Sequence, residues 1–408
     1  MGTGSTGTSG AAARAAPRAA RRRPAAPLTA GDLRAANAWT VLEAIRAAGP
    51  LSRVQVSELT GLNAMSVHRR VAELKRRKLI VAAGSSPAGA VGRPSSLFRF
   101  NGAIGHAVGL DVGNETTRAV LVDLNRNRLA ERELPTASIE ADLVRSLEAL
   151  IRELLAEARV RPETLMAAAG GIAGVTRPDG TIARASQHHA WDGLRLGAML
   201  RSGLGVEVEL RQDDHLATLA EVRAGALVGV QTGLLVNVGK GVGFGIVSGG
   251  EVYAGAHGAA GRATWIPLTP GGGGEEGLVG DRITGDALVA EYLESGGTRL
   301  VAGARDVFAA DADGDIPAAL AIERFTRRLA WLIATAIAIV DPELVVLGGG
   351  VGRAYGRLHG ALSAEIAAII PSPPPLVASS LGPGAVISGA TDAALAMADA
   401  RLRERLGG

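Results

Sequence analysis

The chain has 408 residues, with 43 Lys and Arg against 40 Asp and Glu, 56 glycines and no cysteine. The charge is unevenly placed: residues 1–100 hold 16 basic and 4 acidic side chains (+12), and residues 101–408 hold the other 27 and 36 (−9). A cationic head on an acidic body points to a polyanion that meets the head alone, and the absence of cysteine excludes a disulfide scaffold, a thiolate-ligated zinc and a cysteine nucleophile.

Residues 1–31 carry Arg14, Arg18, Arg21, Arg22 and Arg23, no acid, and otherwise mostly Ala, Gly, Ser, Thr and Pro. That composition reads as a disordered basic arm. It has no continuous apolar stretch of the kind a secretory signal needs. The longest apolar stretch of the chain, Leu329 to Val340, is twelve residues interrupted by Thr335. It falls short of the roughly 18–20 residues that cross a bilayer and reads as a buried helix. A cytoplasmic protein with no membrane contact is expected.

Residues 32–101 read as a winged helix-turn-helix. Val41, Leu42 and Ile45 form an apolar stripe that ends at Gly49-Pro50. Ser52 is placed to cap a short helix over Val54 to Leu59, Gly61 makes the turn, and Asn63 caps a second helix running through Lys78. In that helix Val67, Val71 and Leu74 share one face, and Ala64, Ser66, His68, Arg69 and Arg70 lie on the others. Two helices about a glycine turn, the second one basic, match a recognition helix entering the major groove of double-stranded DNA by its first turns. Asn63, Ala64, Ser66, His68, Arg69 and Arg70 are the DNA-contact candidates, with Ser66, His68 and Arg69 at base edges. A wing follows: strand Ile80-Val81, a tip from Gly84 to Gly89, and return strand Leu97 to Phe100. Gly92-Arg93-Pro94 is placed to insert Arg93 into a narrow minor groove, or is an ordinary loop.

Residues 102–408 repeat one phrase. Val108 to Gly113 is a strand entering a glycine turn, followed by strand Arg118 to Leu124. Leu234 to Gly239 and the strand ending Gly245-Ile246-Val247 repeat it about 126 residues later. Asp111-Val112-Gly113 aligns with Asn237-Val238-Gly239, and Ala119-Val120-Leu121 with Gly245-Ile246-Val247. A duplicated α/β body with a cleft between its halves is expected.

From about residue 33 to 400 the chain resembles ROK-family transcriptional regulators, in which a winged helix precedes a sugar-kinase-like domain of the actin/hexokinase (ribonuclease H-like) superfamily. The resemblance is carried by Gly92-Arg93-Pro94, Gly109 to Gly113, the Trp191 segment, Asp213 to Glu221, Gly239 to Gly245, and Asp341 to Gly350. It implies a phosphate loop at Asp111 to Glu115, where Glu115 replaces the family threonine. It implies a second loop at Gly239-Lys240-Gly241, where Lys240 attracts phosphate, pairs with Glu115 across the cleft or simply faces solvent. Asp213 matches the kinase base, now vestigial, although a helix-cap carboxylate fits it equally well. The family sugar and zinc motif reads Ala260-Gly261-Arg262-Ala263-Thr264-Trp265. Arg262 thus replaces the sugar-contacting glutamate and Trp265 the zinc histidine.

The ligand-contact candidates so implied are Gln187, Gln212, Asp213, Gly241 and Arg262, with no cofactor, no metal and no catalysis. The expected protein is a repressor of carbohydrate-related genes, a homodimer or homotetramer, whose body senses a sugar-derived, anionic effector or serves only dimerisation. The alternative is an ATP-dependent sugar kinase with an appended DNA module.

Overall fold

The structure, a computed structural model, describes residues 29–85, 95–268 and 277–407. Helix α1 (Ala30–Ala48) opens on a capping box: Thr29 Oγ1 accepts the Asp32 N–H, and Asp32 Oδ2 accepts the Thr29 N–H at 2.8 Å. Helix α1 therefore begins inside the segment 1–31 assigned to the arm, because this reciprocal cap is available just ahead of the apolar stripe. Strand β1 (Leu51–Ser52) leads into α2 (Arg53–Thr60), capped by Ser52 and Gln55. Gly61, at φ +69°, ends α2 in the left-handed region that glycine adopts without penalty.

Asn63 then caps α3 (Ala64–Arg76). Val67, Val71 and Leu74 are fully buried beneath it. The helix ends two residues before the expected Lys78, which turns to φ +60° and offers its carbonyl to Asn101 Nδ2. Strands β2 (Ile80–Ser85) and β3 (Ser96–Phe100) pair antiparallel, with β1 on the outer side of β3. Gly84 and Ser85 of the expected tip belong to β2, and residues 86–94, including Gly92, Arg93 and Pro94, lie outside the described residues.

The body contains the same sheet twice. The first lobe comprises β4 (His106–Val112), β5 (Thr116–Asp123), β6 (Arg128–Pro135), α4 (Leu143–Glu157), β7 (Leu165–Ile172), the small β8–β9 hairpin (Gly174–Thr176, Ile182–Ala185), α5 (Leu196–Leu204) and β10 (Glu207–Gln212). Helix α6 (Asp213–Ala224) crosses to the second lobe, with β11 (Thr232–Val238), β12 (Val242–Ser248), β13 (Glu251–Val252), α7 (Val279–Arg282), α8 (Gly285–Glu294), α9 (Ala304–Ala312), α10 (Ile316–Val340), β14 (Leu344–Gly348), α11 (Gly349–Gly352), α12 (Tyr355–Ile369) and β15 (Leu376–Ala378). Helix α13 (Ala385–Gly407) returns to the first lobe.

The sheet orders β6-β5-β4-β7-β10 and β13-β12-β11-β14-β15 are the same topology, with the same parallel and antiparallel pairings. The expected alignment is corrected by one residue at the second strand. Asp111 pairs with Arg118 and Asn237 with Gly243, so Ala119 corresponds to Phe244 and not to Gly245. The first hairpin turn is one residue longer, and a single-residue slip exchanges the two faces of a strand. The apolar stretch Leu329–Val340 lies within α10, where Leu329, Leu332, Ile333 and Ile337 are buried. Among the described residues no helix is long and apolar enough to cross a membrane.

Candidate nucleic-acid interface and ligand cleft

The α3 surface is divided. Ala64, Met65, His68, Arg69, Lys75 and Arg76 are exposed, with spacings that place them along one helical face. Asn63 spends its side-chain oxygen on the Ser66 N–H at 2.9 Å, so it orders the first turn while staying exposed. Ser66 is half-buried. Arg70 departs from its expected role. Only 14% exposed, it turns inward and lies 2.5 Å from Glu73 Oε2.

Glu73 is 4% exposed and gathers Arg34 at 3.3 Å and Arg77 at 3.4 Å as well. A carboxylate buried this far needs such partners, and burial, which sequence spacing does not reveal, is what recruits Arg70. Met65, 62% exposed in the first turn of α3, is not among the sequence candidates. An apolar side chain there is suited to a thymine methyl, and its position one residue before Ser66 was the available signal.

Helix α13 joins this head to the body. Its distal half packs on α1, and Leu402 and Leu406 share one apolar core with Trp39, Leu42 and Val71. Arg46 Nη1 lies 2.6 Å from Asp399, Arg403 stacks over the Trp39 ring, and Arg77 donates to the Arg405 carbonyl at 2.6 Å. The proximal half of α13 packs on α6, where Gly389 admits the Leu216 carbonyl: a Cβ there would stand 1.9 Å from that oxygen.

Helix α6 begins in the cleft between the lobes, a space of about 230 Å³ lined among others by Asn114, Ser186, Asp213, Asp214, Gly241 and Arg262. Three of the five expected ligand residues, Asp213, Gly241 and Arg262, are brought together there. Gln187 is exposed and lies outside that lining. Gln212 is fully buried, also outside it, and donates to Asp214 Oδ2 at 3.2 Å. Gln212 is the last residue of β10 and is held in the interior by Asp214, whereas Gln187 lies beyond β9 in an exposed bend.

Asp213 is the first residue of α6, one position past the cap, where Gln212 stands without a side-chain cap bond; it accepts the Asp214 N–H at 3.0 Å and lines the cleft. Burial drives its carboxyl well above the usual range, helped by the Asp214 charge and opposed by Arg262. Burial likewise pushes Asp111 up to about 6, against the pull of Arg118. Asp214 accepts from Asn237 Nδ2 at 2.8 Å.

The two loops meet across the cleft. Lys240 Nζ lies 3.0 Å from Glu115 Oε1 and 2.8 Å from Asp286 Oδ1. The pairing of Lys240 with Glu115, one of the alternatives read from the sequence, is present. Arg262 Nη2 donates to Ser186 Oγ at 2.5 Å. His188 bonds the Asn114 carbonyl and Glu140 and stacks on Trp191. It braces the first loop. Trp265, at the zinc-histidine position, is exposed.

A winged helix docked onto two copies of one sheet that face a shared polar cleft defines the fold class, a duplicated α/β body with an N-terminal winged helix. The chain belongs to the ROK family, whose model matches residues 107–397. It is 26% identical over 331 residues to the E. coli K12 DNA-binding transcriptional dual regulator NagC, covering 78% of this chain and 81% of NagC. It is 35% identical over 204 residues to the bifunctional enzyme NanE/NanK of Brucella melitensis, spanning 49% of this chain but only 37% of that protein. In three dimensions it resembles the crystal structure of a ROK family transcriptional regulator, a homologue of the E. coli MLC protein. There the TM-score is 0.74 at 24% identity over 92% of this chain and 99% of the other. A Streptomyces griseus ROK family glucokinase in complex with glucose and AMPPNP matches at TM-score 0.60 and 22% identity, over 71% of this chain and 99% of its own.

Proposed function

We propose that this protein is a sequence-specific DNA-binding regulator, a repressor of carbohydrate-related genes, whose ROK body takes a small sugar-derived ligand and performs no phosphoryl transfer. The observation that carries this reading is the exposed basic recognition helix on a head that is packed continuously onto the body through α13. The relatives support it. NagC is described as a transcriptional regulator, and the fold shared with the MLC homologue extends over 92% of the chain, well beyond the part shared with the glucokinase.

Regulation follows the same helices. A ligand that favours one spacing of the lobes acts on α6, whose first residue lines the cleft, and α13 transfers the shift to α1 and α3. In a homodimer the two recognition helices address half-sites about one helical turn, or a multiple, apart. Loss of kinase chemistry is supported by Glu115, a carboxylate at the lip of the first phosphate loop that repels a nucleotide phosphate. Lys240, the cation that would offset it, is already shared between Glu115 and Asp286.

Fluorescence anisotropy on labelled genomic fragments tests the DNA reading. Selective binding that weakens steeply with added salt is expected, and salt-insensitive binding to every fragment would overturn it. Asp213 in the cleft favours the second reading, a sugar kinase. Coupled ATP turnover over a sugar panel decides it: no turnover is expected, and turnover abolished by Asp213→Asn would establish the kinase.

A further inference from the structure

We infer that the cleft recognises an acidic polyhydroxylated ligand, a sugar carrying a carboxylate or phosphate, through Arg262, Ser186 and Asn114. This deepens the effector reading above and rests on it. Arg262 comes from the second lobe, after β13, and Ser186 from the first, after β9. Their contact at 2.5 Å therefore closes the cleft at the point where a ligand would lie.

A guanidinium has five donors. Among the described residues Arg262 bonds Ser186 and no carboxylate, and its Nε–H is buried without an acceptor. The surrounding acids are otherwise engaged. Glu115 is paired with Lys240, Asp214 is held by the Asn237 and Gln212 amides, and buried Asp213 is biased towards its neutral form. Arg262 is thus the cleft's cation without a counter-charge at contact distance.

Asn114 presents the opposite need. Its Oδ1 is a buried acceptor without a donor, on the first loop. A ligand that brings an anionic oxygen to Arg262 and a hydroxyl to Asn114 answers both groups. A neutral hexose can hydrogen-bond both groups but leaves the Arg262 charge uncompensated, and a bare inorganic anion compensates that charge without a polyol frame to carry hydroxyls to Asn114.

Titration calorimetry on the full chain with D-gluconate, glucose 6-phosphate, D-glucose and inorganic phosphate tests this. At least one acidic sugar is expected to bind ten-fold or more tightly than both glucose and phosphate, and the gluconate and glucose 6-phosphate arms tell carboxylate from phosphate. Arg262→Gln should weaken that binding ten-fold or more, Arg262→Lys should restore part of it, and Ser186→Ala should cost less. Circular dichroism melts confirm that each variant is folded; if Arg262→Gln is not, the Lys and Ser186 variants decide.

Glucose binding as tightly as the acids, no binding by either acid, or unchanged affinity in the folded Arg262 variants would each overturn the inference. DNA anisotropy on the same samples separates the two readings. DNA binding without acidic-sugar binding defeats this inference alone, whereas no binding to any genomic fragment defeats the regulator itself.

Discussion

Arg46 of the first helix and Asp399 of the last stand 2.6 Å apart, and the same guanidinium donates to the Leu124 carbonyl at 2.6 Å. One side chain thus ties the winged-helix head to two separate elements of the body, and it also stacks over the Phe100 ring. Arg46→Ala is expected to cost about 1–2 kcal/mol, because charge-assisted bonds of partly buried groups exceed the surface value. Urea unfolding measures the loss. The more telling readout is regulation: in Arg46→Ala, DNA affinity should respond less to any cleft ligand than in the parent chain. An undiminished response would show that the head is coupled through another contact.

Adjacent arginines on the recognition helix should behave differently. Arg69→Ala should leave the melting temperature nearly unchanged while relaxing base preference, at about 1–3 kcal/mol for the affected base pair. Arg70→Ala should destabilise the fold by about 1–3 kcal/mol, since buried Glu73 loses its nearest cation. Comparing binding to a selected site and to scrambled DNA, alongside thermal melts, checks both. Equal effects of the two substitutions on both measurements would contradict the division of the α3 surface.

Gly389→Ala places a methyl against a backbone carbonyl, which cannot rotate away as a side-chain tip does. Such overpacking costs about 1–3 kcal/mol and pushes α13 away from α6. Lower stability together with altered DNA affinity is expected, although residue 389 lies in the body. A stability loss with unchanged DNA affinity would place α13 outside the coupling path.

Asp111 gives a pH signature. Burial holds its folded-state pKa at about 6, against an ordinary value of 3.8, so over that interval the folded chain keeps a proton that the unfolded chain releases. Its contribution to stability is full below about pH 4 and is lost as pH rises to about 6, at no more than about 1.4 kcal/mol per pH unit. Asp213 acts in the same direction. Asp111→Asn should flatten this decline in urea midpoints measured across the interval. A decline of unchanged steepness would assign it elsewhere.

Much of the architecture could be read along the chain. The stripe Val67, Val71, Leu74, the caps Ser52 and Asn63, and the turn at Gly61 define the helix-turn-helix, because capping and 3.6-residue periodicity are local properties. The recurrence of Asp111-Val112-Gly113 as Asn237-Val238-Gly239 revealed the duplicated sheet for the same reason. The one-residue register error at β12 arose where turn length, and not pattern, sets the pairing.

What lies across the fold was left to the tertiary structure. Arg70 turns to Glu73, Gln187 and Gln212 stay out of the cleft, Met65 is presented at the surface, and α13 reaches from α6 to α1. Each of these depends on which groups are buried and which distant segment supplies their partners. Sequence by itself determined the elements, their order and the charge divided between head and body. Only the packing decided which of those charges are consumed inside the protein and which remain exposed, because a buried charge must find its partner wherever the chain brings one.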